Sequence, residues 1–243
     1  MNQHLRSITS PPFDAAVAGA IPRSTRTAGF WSAALATAFS ITYVVGQLAE
    51  WMGLLGSRGG PESVSTPLGL VVLLTPSLFL GPSFLVLMLS VHALSTSERK
   101  IWSHAAVAFA TVYTVMISIN YFVQLTWVAP RLTAGRTEGL EPFLFTPFDS
   151  FLYAVDILGY SFMSVATLFA AMALPARGPS RVAHMFLFAN GLLMPFIALQ
   201  MYVHSLIWIA ALWAVTFPGA TGALALFFRR APSGVRGRVR AVA

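Results

Sequence analysis

The chain has 243 residues, 56% of them hydrophobic and only 9% charged, with a formal net charge of +7 and a mean hydropathy of +0.72. Soluble domains carry about 25% charged residues, so this composition excludes an ordinary soluble domain and points to lipid as the solvent. Cysteine is absent, which excludes disulfides, iron–sulfur clusters, thiolate zinc sites and a cysteine nucleophile. The basic residues lie in tails and short loops rather than along one face, a distribution that fits membrane topology better than nucleic-acid binding.

In chain order, residues 1–29 are too polar to form the apolar core of a signal peptide and are expected to be a short disordered tail. Apolar stretches of membrane-spanning length follow at 30–54, 68–94, 101–129, 151–174, 182–203 and 206–228. They predict an all-α fold, a polytopic bundle of six transmembrane helices. Only His204 and Ser205 separate the last two stretches. One unbroken helix over 182–228 would be about 70 Å long at about 1.5 Å per residue, more than twice the hydrocarbon thickness, so two spans in a tight hairpin are expected. The segment 229–243 reads as a basic tail whose arginines flank the last span or touch anionic headgroups.

Six spans put the two termini, the second loop and the fourth loop on one side. That side carries Arg6, Arg23, Arg26, Arg99, Lys100, Arg177, Arg181, Arg229, Arg230, Arg236, Arg238 and Arg240; the other carries only Arg58, Arg131 and Arg136. The positive-inside rule then places both termini in the cytoplasm and the protein in a bacterial inner membrane. The longest loop, 130–150, is expected outside, with its amphipathic GLEPFLF stretch lying along the interface or folded over the bundle as a lid. No internal repeat is present, so the sequence does not support an inverted-repeat transporter.

This orientation gives the polar residues inside the spans a common depth. Tyr43, Gln47 and Glu50 follow i, i+4, i+7 in the first span; Tyr113, Asn120, Gln124 and Trp127 share a face in the third; Tyr153, Asp156 and Tyr160 follow i, i+3, i+7 in the fourth. Gln200 and His204 sit at the outer end of the fifth span, with Thr75 and Ser77 in the outer part of the second. Asp156 lies about 8–10 Å below the outer boundary at about 1.5 Å per residue. Polar side chains facing lipid are costly, so these faces are expected to turn inward around one polar, aromatic-lined cavity in the outer half of the bundle. Burial of a carboxylate favours its protonated form, which would let Asp156 or Glu50 act as a general acid or proton relay. The structural reading is that Asp156 accepts hydrogen bonds from Asn120, Gln124 or a tyrosine and ties helices together. Glu50, followed by Trp51, also fits an aromatic-belt position, and Asn120 and Gln124 alone read as helix–helix links. The remaining candidates for ligand contact are Tyr43, Gln47, Tyr153, Tyr160, Gln200 and His204.

His92, His104 and His184 map near the inner face, where two of them could ligate a haem, but each sits at a helix end and no i, i+4 histidine pair occurs. No metal and no cofactor is expected. Pro76, Pro82, Pro195 and Pro218 mark kinks. No phosphate-binding loop, nucleophile elbow or zincin motif is present.

The stretches INYFVQLTWVAPRL (119–132) and FLYAVDILGYSFMSVATLFAA (151–171) resemble a widespread group of small multi-pass bacterial membrane proteins of no established activity. The matching residues are Asn120, Gln124, Asp156, Gly159 and Tyr160, and the likeness covers 30–228; it implies the fold and adds no function. QLAEWMG (47–53) is faintly similar to the acidic–aromatic first motif of small integral-membrane terpene cyclases, which use intramembrane acids to protonate an alkene or epoxide. Residue order differs here and the spans are fewer.

Three functions follow as expectations. The first is binding or conversion of a lipophilic small molecule, as a general-acid isomerase or cyclase if the protein is an enzyme. The second is an accessory or assembly subunit, and the third a small proton- or solute-coupled transporter. The expected partners are membrane lipids, the lipophilic molecule and a second copy of the chain, not nucleic acid. The orientation is testable because the chain has no native cysteine. A Thr137→Cys variant should react with a membrane-impermeant maleimide in intact cells, and Ser97→Cys only after the cells are opened; the reverse pattern would invert the topology.

Overall fold

A computed structural model describes residues 21–59, 63–146 and 148–231. Among these residues six helices are long and apolar enough to cross a membrane, and no strand occurs. They are α1 (Arg23–Trp51), α2 (Pro67–Leu94), α3 (Ser97–Thr133), α4 (Phe151–Ala173), α5 (Gly178–Leu199) and α6 (His204–Arg230). The chain is a multi-pass, all-helical membrane protein.

Local chemistry sets where the helices begin and bend. Thr66 caps α2 by accepting the Gly69 amide at 3.0 Å, with Pro67 at the first helical position. Ser150 likewise caps α4 through the Tyr153 amide at 3.0 Å, and a side-chain acceptor satisfies an amide that the first turn leaves unpaired. α1 begins at Arg23, after Pro22. Residues 23–29 are therefore helix and not the tail expected from their polarity; the rest of that tail, 1–20, lies outside the described residues, as does 232–243 of the basic C-terminal tail. α3 passes through a π-helical turn at Gln124–Val128 before Pro130, whose missing N–H and bulky ring disfavour regular α-helix just upstream. α5 is interrupted at Leu192 and Leu193, two residues before Pro195, and α6 at Ala211 and Leu212. The interruption in α5 follows from proline's missing donor; that in α6 has no proline to account for it.

Each helix packs against its neighbours in sequence, and α6 returns to pack on α1, so the six form a closed ring. Toward the end that carries Arg23 and Arg230, the ring is filled. Phe84 of α2 lies 5.5 Å from Phe217 of α6 and 5.8 Å from Tyr113 of α3, ring centre to ring centre. Hydroxyl and amide groups stitch neighbouring helices: Thr37 to Thr221 (2.8 Å), Thr114 to the Gly81 carbonyl (3.0 Å), Asn190 to Thr167 (3.0 Å) and Thr216 to Asn190 (2.9 Å). Such links hold helices that have no hydrophobic driving force between them in lipid.

Close approach needs glycine where α5 crosses α4. A Cβ at Gly191 would stand 2.8 Å from the Leu168 Cα and 3.0 Å from its amide nitrogen, whereas a Cβ at Gly222 would find nothing nearer than 3.8 Å. Gly191→Ala should therefore cost about 1–3 kcal/mol of stability through overpacking against backbone. Gly222→Ala should be neutral or stabilising by up to about 1 kcal/mol. Thermal unfolding of the two variants in detergent measures the contrast.

Candidate functional site

At the end of the bundle away from Arg23 and Arg230, α1, α4, α5 and α6 enclose a cavity of about 360 Å³. Its floor is aromatic. Trp213 of α6 meets Tyr43 of α1 edge-on at 5.9 Å and Tyr160 of α4 at 5.4 Å, and Tyr160 in turn meets Tyr113 at 5.6 Å. Tyr160 accepts a hydrogen bond from the Tyr121 hydroxyl at 3.3 Å.

The roof is the α3–α4 loop, seated by polar contacts on both sides. The Thr146 amide donates to Ser65 Oγ at 2.8 Å, and the Ser65 amide donates to the Thr146 carbonyl at 3.3 Å, tying this loop to the α1–α2 loop. Gln124 Nε2 donates to the Phe143 carbonyl at 2.6 Å, and Trp127 packs edge-on against the Phe143 ring at 5.0 Å. Thus held, the loop lays Phe145 and Phe148 against Tyr153, the latter stacked at 4.6 Å, and Phe148 also stacks on His204 at 5.7 Å. Of the two courses open to this loop, along the interface or over the bundle, the chain takes the second.

Asp156 lies in the wall between floor and roof and is 5% exposed. Its position follows from the Ser150 cap, which starts α4 and sets the carboxylate about two turns in. Behind it, Asn120 Nδ2 donates to the Leu152 carbonyl at 3.0 Å and to Asp156 Oδ1 at 3.4 Å. The same side chain borders the cavity. No ion pair forms among the described residues, and Asp156 is the only carboxylate in the cavity wall, which holds no lysine or arginine.

The structure thus sorts the residues singled out from the sequence. Tyr43, Gln47, Tyr153, Asp156, Tyr160, Gln200 and His204 border one cavity. Asn120 and Gln124 do not; they stand behind it, one against Asp156 and one under the roof. Glu50 is buried beside it rather than in it. Tyr43 donates to Gln47 Oε1 at 3.2 Å and Gln47 Nε2 to Glu50 Oε2 at 3.0 Å, so the i, i+4, i+7 face of α1 is a hydrogen-bonded chain. The carboxylate then rests against the first turn of α2, where a Cβ at Gly69 would lie 3.1 Å from Oε1. A negative group is favoured there by the unpaired amides and the helix dipole. Tyr153 and Gln200 meet at 3.5 Å across α4 and α5.

Sequence reasoning missed Trp208, Trp213 and Phe148 as wall residues, and Tyr121 as the partner of Tyr160. The i, i+4 pair Trp213 and Phe217, stacked at 5.3 Å, was the available signal for the inward face of Trp213. His92, His104 and His184 lie elsewhere. His92 and His104 stack with ring centres 4.3 Å apart, too close for an iron to stand between them, and His184 Nδ1 lies 2.9 Å from the Ala171 carbonyl at the end of α4.

One flank of the cavity reaches the lipid-facing surface between α1 and α6. The side chains there, Leu48, Trp51, Trp208 and Ala211, are exposed, and the Trp51 and Trp208 rings face each other at 6.2 Å. No protein-family model, curated protein or solved structure matches the chain, so the geometry alone bears on what the site does. Removing the Asn120 amide leaves a buried carbonyl and a buried carboxylate without their donor. Asn120→Leu is therefore expected to lower stability by about 1–3 kcal/mol, read as a lower Tm in detergent.

Proposed function

We propose that the protein binds a lipophilic small molecule in this cavity, with the molecule's polar end against Asp156 and its apolar body among the aromatic side chains. The observation that carries the reading is a buried carboxylate in the wall of a cavity otherwise lined by aromatic, aliphatic and amide side chains. Asn120 bonds it across α3 and α4, and the same side chain borders the cavity. A carboxylate serving only to join α3 and α4 would have no need of that cavity. The volume lies within the range of about 300–1,000 Å³ typical of small-molecule sites, which are mostly apolar with a few placed polar groups.

Access is lateral in this reading. The roof covers the end of the bundle, so the molecule passes from the bilayer between α1 and α6, past Trp51 and Trp208. The positive-inside distribution supports a cavity in the outer leaflet of a bacterial inner membrane. If Asp156 carries a proton and the occupant presents an acceptor to it, Asp156 can also transfer that proton, which is how conversion rather than binding alone would arise. Glu50 supports this face through Gln47 and does not itself reach the molecule.

Mass spectrometry of organic extracts from purified protein tests the proposal. A lipophilic compound should be enriched with wild type and lost from Ala214→Phe, which adds bulk to the cavity wall from α6. The same compound retained equally by wild type and Ala214→Phe would place it on the outer surface and sink the reading.

A further inference from the structure

We infer that the occupant is a monocationic amphiphile: a quaternary or protonated amine head seated against Asp156, with an apolar tail directed toward the flank between α1 and α6. This rests on the cavity being a ligand site and adds the charge of the ligand.

The argument is one of charge inventory. A carboxylate removed from water must be neutralised by a proton or paired with a cation. No lysine or arginine among the described residues stands in the wall. The tyrosines of the wall, Tyr43, Tyr153 and Tyr160, carry no positive charge, and its histidine, His204, is exposed at the rim and stacked on Phe148. The rest of the wall suits a positive head. Tyr43, Tyr160 and Trp213 make the floor and Tyr153 stands beside Asp156. Aromatic faces carry negative potential and bind ammonium groups in cages of this kind. An anionic head would face the carboxylate with no compensating donor of full charge. A zwitterionic phospholipid would bring a phosphate that no basic side chain of the wall meets. The tail's route is the flank where Trp51 and Trp208 stand exposed.

The test uses full-length protein in nanodiscs and two radiolabelled probes of equal chain length, decyltrimethylammonium and decanol, with protein-free nanodiscs subtracted. Wild type should bind the cation saturably and at least about tenfold more tightly than the alcohol. Asp156→Asn should weaken cation binding by about tenfold or more while leaving decanol within about threefold. Trp208→Leu, at a side chain 70% exposed beside the tail's route, should weaken both probes by a similar factor. If Asp156→Asn does not fold by thermal melting, the wild-type ratio of cation to alcohol decides. Decanol binding as tightly as the cation, or cation affinity indifferent to Asp156→Asn in folded protein, would overturn the inference and leave the ligand site standing. Saturable binding of neither probe would overturn both.

Discussion

A carboxylate within a lipid-embedded helix has to be hidden from hydrocarbon, and the contact between α3 and α4 does this for Asp156. Asn120 reaches across to hold both the Leu152 carbonyl and one carboxylate oxygen. That fixes the rotation of both helices about their axes and brings Tyr121 to Tyr160 lower on the same interface. With the polar face of α4 thus turned inward, the ring closes through α5 and α6 and the aromatic side chains of four helices converge beneath the acid. The cavity is what remains between that convergence and the roof. It is a product of where two helices must face, more than of any motif in the chain.

Much of this was legible in the sequence, and for a simple reason. Hydrocarbon enforces a minimum span length and penalises polar side chains that face it, so apolar runs and i, i+3, i+7 spacings translate almost directly into helices and inward faces. Asp156, Tyr153 and Tyr160 share a face because a helix makes them, and no tertiary knowledge is needed. What periodicity cannot convey is which helices meet. Asn120 and Gln124 stand at the depth of Asp156, and sequence reading places them around the same cavity; ring order puts them behind its wall. Glu50 falls outside for a different reason. It sits at the first turn of α2, and nothing in α1 alone shows that α2 begins beside it.

The helix limits show the same division. The start of α1 at Arg23 and the continuation of α3 through Pro130 run beyond the apolar stretches, because a helix can extend past the hydrocarbon wherever its backbone is satisfied and its side chains reach water or headgroups. The role of the α3–α4 loop as a roof depends on Ser65 and Thr146, two residues 81 positions apart and unremarked by any local pattern. Their pairing could be found only once the ring had brought the α1–α2 and α3–α4 loops to the same edge.

If the cavity binds an amphiphile as proposed, the seal made by that pairing changes what concentration means for this protein. With the aqueous end roofed by Phe145 and Phe148 and the flank open beside Trp208, the relevant reservoir is the bilayer, where an amphiphile accumulates far above its level in water. A site that looks feeble against the bulk solution can therefore stay filled, and selectivity need only distinguish among molecules already dissolved in the leaflet. For such a receptor the first discrimination is solubility, made by the membrane, and the carboxylate makes the second.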